Sequence, residues 1–334
     1  MASHHNHTKG SARLVGGGLA TYLLMNTKTR LSIISAAAIA CALVVTPGAV
    51  RAGGADASTA ADSNASASEP SPAAPRLVLD RGFSELYKLN FNGARAEFRD
   101  YQQAQPADPL GKVAEAASYL YEEFDAKGVL TSEFFLNDQK FLGGVEGDAA
   151  KNHNEAFLQA NAAARDAARQ RLNLDPHDPE ALLAITMADG MESNYDAIIE
   201  RKQLAGLTFM RRAEDEAKML LTIDPSAEDA YVALGTSNYV IGCLPGYKRT
   251  FLWFGGIHGD KTRGMDQLQR AAESGHYLQP FAKILLALMA EREKQDDRAR
   301  ALLVQLNSQF PENPLFAREL RLVDERSSPV SQNR

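Results

Sequence analysis

One short signature constrains this chain more than any other feature. It reads PADP at 106–109, PHDP at 176–179 and PENP at 311–314. In each, Asp or Asn stands directly before a second Pro. Asp108, Asp178 and Asn313 are therefore expected as helix N-caps, with Pro109, Pro179 and Pro314 at the first helical position. The first Pro of each signature ends the preceding helix. A related stretch, PSAED at 225–229, offers Ser226 with Asp229 three residues on, the pattern of a capping box. Helix end, tight turn and helix start thus recur four times. A single helix pair cannot bury its apolar face, so recurring pairs must stack on one another. The chain is rich in Ala, Leu, Glu and Arg and has no long Val/Ile alternation, so strands are not expected. The expected fold class is all-α: an α-solenoid of antiparallel helix pairs, with inserts.

Charge divides the chain. Residues 1–52 hold five basic residues and no acid, which leaves 31 basic against 42 acidic residues in the rest. From Met25, a basic start (Lys28, Arg30) leads into an uncharged run, Leu31 to Val45. Pro47 and Gly48 follow, then the small residues Val50 and Ala52. This is the layout of a secretory signal, with cleavage expected between Ala52 and Gly53. The run is shorter than the roughly 20 apolar residues of a comfortable bilayer span. Residues 1–24 read as a dispensable or non-native extension and 25–52 as the signal. Cys41 follows Ala38-Ile39-Ala40, a poor lipidation motif, so an acylated anchor is the rival reading. The protein is accordingly expected to be exported, to a periplasm or the extracellular space. It is membrane-anchored only if Cys41 is lipidated or the signal stays uncleaved. Residues 53–75 are Ala, Ser, Gly and Pro and read as a disordered linker. Residues 76–326 read as the helical repeat domain and 327–334 as a disordered tail.

The repeat resembles the tetratricopeptide repeat family. Gly82, Ala94, Phe98 and Pro106 match that motif, with Phe91 at an aromatic position and Tyr101 where a small residue is usual. Ala287, Ala299, Leu303 and Pro311 match it again, with Leu306 departing. In between, Ala116 and Tyr119 open a unit that Ala164, Ala168 and Pro176 close late. Ala213, Ala217, Leu220 and Pro225 close another late, after Thr186. Leu234 and Gly235 open one that Gly264, Leu268 and Ala271 close late, with His276 in place of the final Pro. The middle units are expected to carry inserted or lengthened elements.

The resemblance implies recognition by a concave surface lined by the first helix of each pair. Projected onto this sequence, that surface includes Phe83, Val113, Ala117, Tyr121, Leu183, Met187, Met191 and Tyr239, the candidate partner-binding residues, flanked by Leu79, Ile284 and Leu288. A plain packed core competes with a groove here, because apolar residues at helical spacing ordinarily pack inside. Phe83 reads as core. Tyr239 is the better groove candidate, because its hydroxyl needs water or a partner. The insert at about 124–150 carries Phe134, Phe135, Leu136, Phe141 and Leu142, which could fold into the groove. Members of the family that clamp an acidic C-terminus place Lys and Asn on this face, and no such pair occurs, so a carboxylate-clamp chaperone role is not expected.

Catalytic patterns are missing from the sequence. There is no H-E-x-x-H, no paired-Cys motif, no phosphate loop and no G-x-S-x-G. His153 reads as a solvated loop residue and His177 as part of a turn. Cys243, the lone Cys of the mature part, reads as a buried structural thiol. No cofactor, metal or nucleic-acid partner is expected. The leading expectation is a non-catalytic exported scaffold or adaptor for an unknown protein or peptide. The alternative is an enzyme or transport-accessory protein with a small apolar-ligand pocket between helices.

Overall fold

The computed structural model describes residues 73–145 and 151–327, which form one compact unit. The expectations for residues 1–72 and 328–334, including Cys41, Ala52 and Gly53, lie outside the described residues. Among the described residues there are fourteen α-helices and no strand. They are α1 (Ala73–Tyr87), α2 (Phe91–Ala104), α3 (Pro109–Ala126), α4 (Ser132–Leu136), α5 (Asp138–Gly143), α6 (Lys151–Leu174) and α7 (Pro179–Asn194). There follow α8 (Gln203–Ile223), α9 (Tyr231–Cys243), α10 (Gly246–Phe254), α11 (Lys261–Ser274), α12 (Gln279–Arg292), α13 (Asp296–Gln309) and α14 (Pro314–Ser327). The first helix begins at Ala73, inside the stretch expected to be linker.

The turn chemistry explains where the helices begin. Asp108 accepts from Leu110 N at 2.9 Å, Asp178 from Ala181 N at 3.0 Å, and Asn313 from Leu315 N at 2.9 Å. Each relieves one N–H that a helix start leaves unpaired. These caps are also tied sideways. Tyr101 donates its hydroxyl to Asp108 at 2.5 Å, and Arg171 donates Nε to Asp178 at 2.6 Å. Asp108 and Asp178 thereby each fix both the start of one helix and the end of the helix before it.

The fourth signature behaves differently. Ser226 turns its hydroxyl and its N–H to Asp224, at 2.6 and 2.9 Å, and a short 3-10 turn, Glu228–Ala230, precedes α9. Asp229 does not close a capping box. It reaches across to the α11–α12 loop and accepts from the backbone N–H of His276, Tyr277 and Leu278 at 2.8, 2.9 and 3.1 Å. That loop lacks the usual Pro, and Asp229 supplies its order from outside.

The helices pack as antiparallel pairs: α1 with α2, α3 with α6, α7 with α8, α9 with α11, and α12 with α13, with α14 closing the row. Each of the three middle pairs is interrupted. Helices α4 and α5 lie between α3 and α6, a π-helical turn (Tyr195–Ile199) joins α7 to α8, and α10 sits between α9 and α11. These are the late-closing units of the sequence. Close crossings use glycine. A Cβ on Gly82 would meet Phe98 at 2.3 Å, and one on Gly235 would meet the carbonyl of Gly264 at 2.8 Å. Gly82 makes room for the Phe98 ring, whereas at Gly235 the two helix backbones themselves approach too closely for a side chain.

The row of pairs closes on itself. Tyr87, at the end of α1, donates its hydroxyl to the carbonyl of Tyr277 at 2.8 Å. Asn313 Nδ2 donates to the carbonyl of Tyr87 at 2.8 Å. The Phe83 and Tyr277 rings stack at 5.0 Å between centroids, and Tyr87 lies against Phe310 at 5.5 Å. The first and last pairs therefore share one core.

Candidate functional site

Closure turns the concave face inward. It walls a cavity of about 260 Å³ whose lining comes from the first helix of every pair, from α14, from α4, α5 and the π-turn, and from Met210 and Ala213 of α8 and Leu303 and Leu306 of α13. Helix α1 contributes Phe83 and Tyr87, α3 contributes Ala117 and Tyr121, α7 contributes Met187 and Met191, and α12 contributes Phe281 and Leu288. The wall is overwhelmingly apolar.

The candidate residues sort cleanly by place. Phe83, Ala117, Tyr121, Met187 and Met191 line the chamber together. Val113 is fully buried away from it. Leu183 lines a separate, more polar hollow beside Arg171 and Asp178. Tyr239, the expected wet residue, is 1% exposed. It packs among α9, α11 and α12, and its hydroxyl donates to Glu293 at 2.9 Å, where Lys261 also donates at 2.7 Å. Burial holds the Tyr239 phenol far above its ordinary range, so this is a neutral donor. Its polar end is satisfied inside the fold by residues from distant helices, which one-dimensional periodicity cannot foresee.

The insert reaches the chamber as the sequence suggested. Phe135 and Phe141 line it and Phe134 is buried behind them, whereas Leu136 is largely exposed. Arg292 of α12 clamps this insert by donating to the carbonyl of Phe135 and to the carboxylate of Asp138. The π-turn shapes the opposite wall. It holds Ala197 and Ile198 along the chamber, and the carbonyl of Ile198 accepts from Val145 N at 2.9 Å. π-turns often mark functional places in helices, because they leave backbone groups off the regular ladder.

Outside the chamber, His153 lies in the first turn of α6 rather than in a loop, with Nε2 3.7 Å from Glu122 and Nδ1 3.8 Å from Glu123. His177 stays in its turn, its N–H bonded to Asp175 at 2.9 Å. Cys243 is half-buried, and burial pushes its thiol pKa up. No group of three or more His, Cys, Asp or Glu side chains among the described residues is placed to hold a metal ion. No helix of the described residues is long and apolar enough to cross a membrane.

Sequence reasoning missed the polar members of the chamber. Thr186, Thr236, Glu291 and Glu319 all line it. Their signal was available only as polar residues interrupting the apolar face of first helices, which resembles ordinary surface until the ring closes.

No protein-family model matches this chain, and no curated protein matches it. Among solved structures, the chain is similar to a thermophilic TPR protein of Thermus thermophilus, with a TM-score of 0.40 and 14% identity. The match covers 75% of this chain and 100% of the other.

Proposed function

We propose that this chain is an exported, non-catalytic binding protein of the tetratricopeptide type whose inner face takes a small apolar ligand. One observation carries the reading: an apolar cavity of about 260 Å³, walled by every first helix and bounded by the contact between α1 and the α12–α14 end. An extended partner peptide needs an open concave surface, and the Tyr87–Tyr277 and Tyr87–Asn313 bonds span it here. Most of the wall offers water no polar partner, so an apolar guest gains by lying against it. Met187 and Met191 supply adaptable contacts. Export rests on the basic, apolar and small-residue layout of residues 25–52.

The test uses Gly190, which lines the chamber on α7 and has no atom within 4 Å of where a Cβ would stand. Gly190→Ala should raise stability by about 0.5–1 kcal/mol, since glycine is costly inside a helix. Gly190→Leu should fold equally well but fill the space. Short-chain alcohols and aromatic hydrocarbons should raise the melting temperature of the wild-type protein and fail to do so in Gly190→Leu. Equal shifts in both proteins, or none in either, would reject the chamber as a ligand site.

A second reading is favoured by a different surface. Tyr247, Trp253 and Phe254 on α10 are 70%, 58% and 77% exposed, and grouped exposed aromatics on an insert suit protein contact. On that reading the chamber is a by-product of closure and the adaptor role belongs to α10.

A further inference from the structure

Four polar atoms on chamber-lining residues have no hydrogen-bond partner. They are Thr186 Oγ1 on α7, Thr236 Oγ1 on α9, Glu291 Oε1 on α12 and Glu319 Oε1 on α14. A threonine inside a helix ordinarily turns its hydroxyl back to the carbonyl four residues earlier. Thr208, Thr222 and Thr250 all do this, at 3.0, 2.8 and 3.0 Å, while the two chamber threonines do not. Buried polar atoms left unpaired are uncommon, and each calls for an explanation.

The two carboxylates are the more telling pair. Glu291 is 5% exposed and Glu319 is 4% exposed. Each uses only its Oε2: Glu291 accepts from Arg326, and Glu319 accepts from the Ser132 hydroxyl of the insert. Arg326 is the cation paired with Glu291, and Glu319 is bonded to a neutral hydroxyl. The neighbouring Arg292 is engaged with Phe135 and Asp138. An excess of negative charge remains at this end of the chamber. Burial lifts the Glu291 carboxyl above its usual range, Arg326 opposes that, and Glu319 adds to it, so the two acids sense each other. An ionised carboxylate is an acceptor only. A partner that donates satisfies two such oxygens when they are ionised, and a positive donor also answers the charge.

Building on the apolar-chamber reading, we propose that the ligand is an apolar molecule carrying a protonated amine. Its body lies against Phe83, Met187, Met191 and Phe281, and its ammonium donates to Oε1 of Glu291 and Glu319. A hydrocarbon alone leaves these oxygens unpaired, and an acidic amphiphile is repelled by them.

The full chain is titrated by calorimetry with octylamine, 1-octanol, octanoate and octyltrimethylammonium. Octylamine should bind roughly 10-fold or more tightly than octanol, the scale of a hydrogen bond to a charged group. Octanoate should not bind measurably. Octyltrimethylammonium carries charge without an N–H and should bind no better than octanol. Glu319→Gln keeps an acceptor for Ser132 and removes the charge; octylamine affinity should fall to the octanol level while octanol binding is unchanged. Glu133→Gln, on the exposed face of the insert, should change nothing. Equal affinity for all four octyl compounds leaves the apolar chamber standing and overturns the amine. Octyltrimethylammonium matching octylamine on the wild-type chain overturns the donated bonds without any variant being needed. A loss in Glu133→Gln equal to that in Glu319→Gln shows general attraction to an acidic surface and also overturns it. No binding by any chain overturns the chamber reading as well.

Discussion

Glu216 shows how much a single side chain on this fold depends on its surroundings. It lies on α8, its Oε2 has no partner, and burial together with Asp189 pushes its pKa up to about 8 against the opposing charges of Arg165, Arg169 and Arg212. A carboxyl whose folded pKa exceeds its unfolded value binds more protons folded than unfolded. Stability is then highest below the unfolded value near 4.5, is lost as pH rises toward about 8, and levels off above it. Glu216→Gln should lack this fall. Denaturant melts at about pH 5 and about pH 8.5 should show the variant gaining on the wild type by about 4 kcal/mol; parallel curves would mean Glu216 is ionised throughout. Phe83 and Tyr239 offer a second comparison. Phe83 is buried, edge-on to Phe98 at 5.4 Å and stacked on Tyr277, so Phe83→Ala should cost about 3–5 kcal/mol by equilibrium unfolding. Tyr239→Phe keeps the packed ring and leaves Glu293 still paired with Lys261, so its cost should stay near 1 kcal/mol. Comparable losses in the two would mean that the Tyr239–Glu293 bond organises the C-terminal core.

Helix α10 is the element whose role differs most from the rest. Its neighbours bury their faces, whereas α10 buries Leu252 and leaves Tyr247, Trp253 and Phe254 in solvent. Trp253 is the single Trp of the chain. Intrinsic fluorescence of the native protein should therefore show long-wavelength, water-like emission that acrylamide quenches readily. Trp253→Ser should change stability by less than about 0.5 kcal/mol, because little packing is lost. Short-wavelength, protected emission would place α10 against another surface. The insert of α4 and α5 behaves in the opposite way. Its aromatics enter the chamber, and its backbone is held by Arg292, so it belongs to the wall and not to the surface.

For the whole molecule, the decisive contact joins the two ends of the described chain. Asn313 does two jobs: Oδ1 caps α14 and Nδ2 donates to the Tyr87 carbonyl. Asn313→Asp keeps the cap and cannot donate, which leaves a buried carbonyl facing a carboxylate. A loss of about 1–3 kcal/mol is expected. Amide hydrogen exchange should then quicken in both α1 and α14, since closure couples them. Faster exchange confined to α14 would show that the ends open independently and that the chamber is not held shut from both sides.

Local chemistry determined much of this protein. The three Asp-Pro and Asn-Pro signatures set helix starts because N-cap bonds form within a few residues, and glycine sets helix crossings by admitting the Phe98 ring at Gly82 and the facing backbone at Gly235. The late closing of the middle pairs was legible as spacing, and so was the apolar insert. Only the tertiary structure decided what the inner face became. Whether a stripe is groove, core or chamber depends on contacts between α1 and α12–α14, which lie far apart along the chain and leave no periodic trace. The same holds for Tyr239, whose hydroxyl is satisfied by a residue beyond the end of α12, and for Asp229, which orders a loop across the fold. Glu291 and Glu319 look like ordinary helix-surface acids in the sequence. They become the acidic end of an apolar chamber because the ring closes over them and leaves one oxygen of each without a partner.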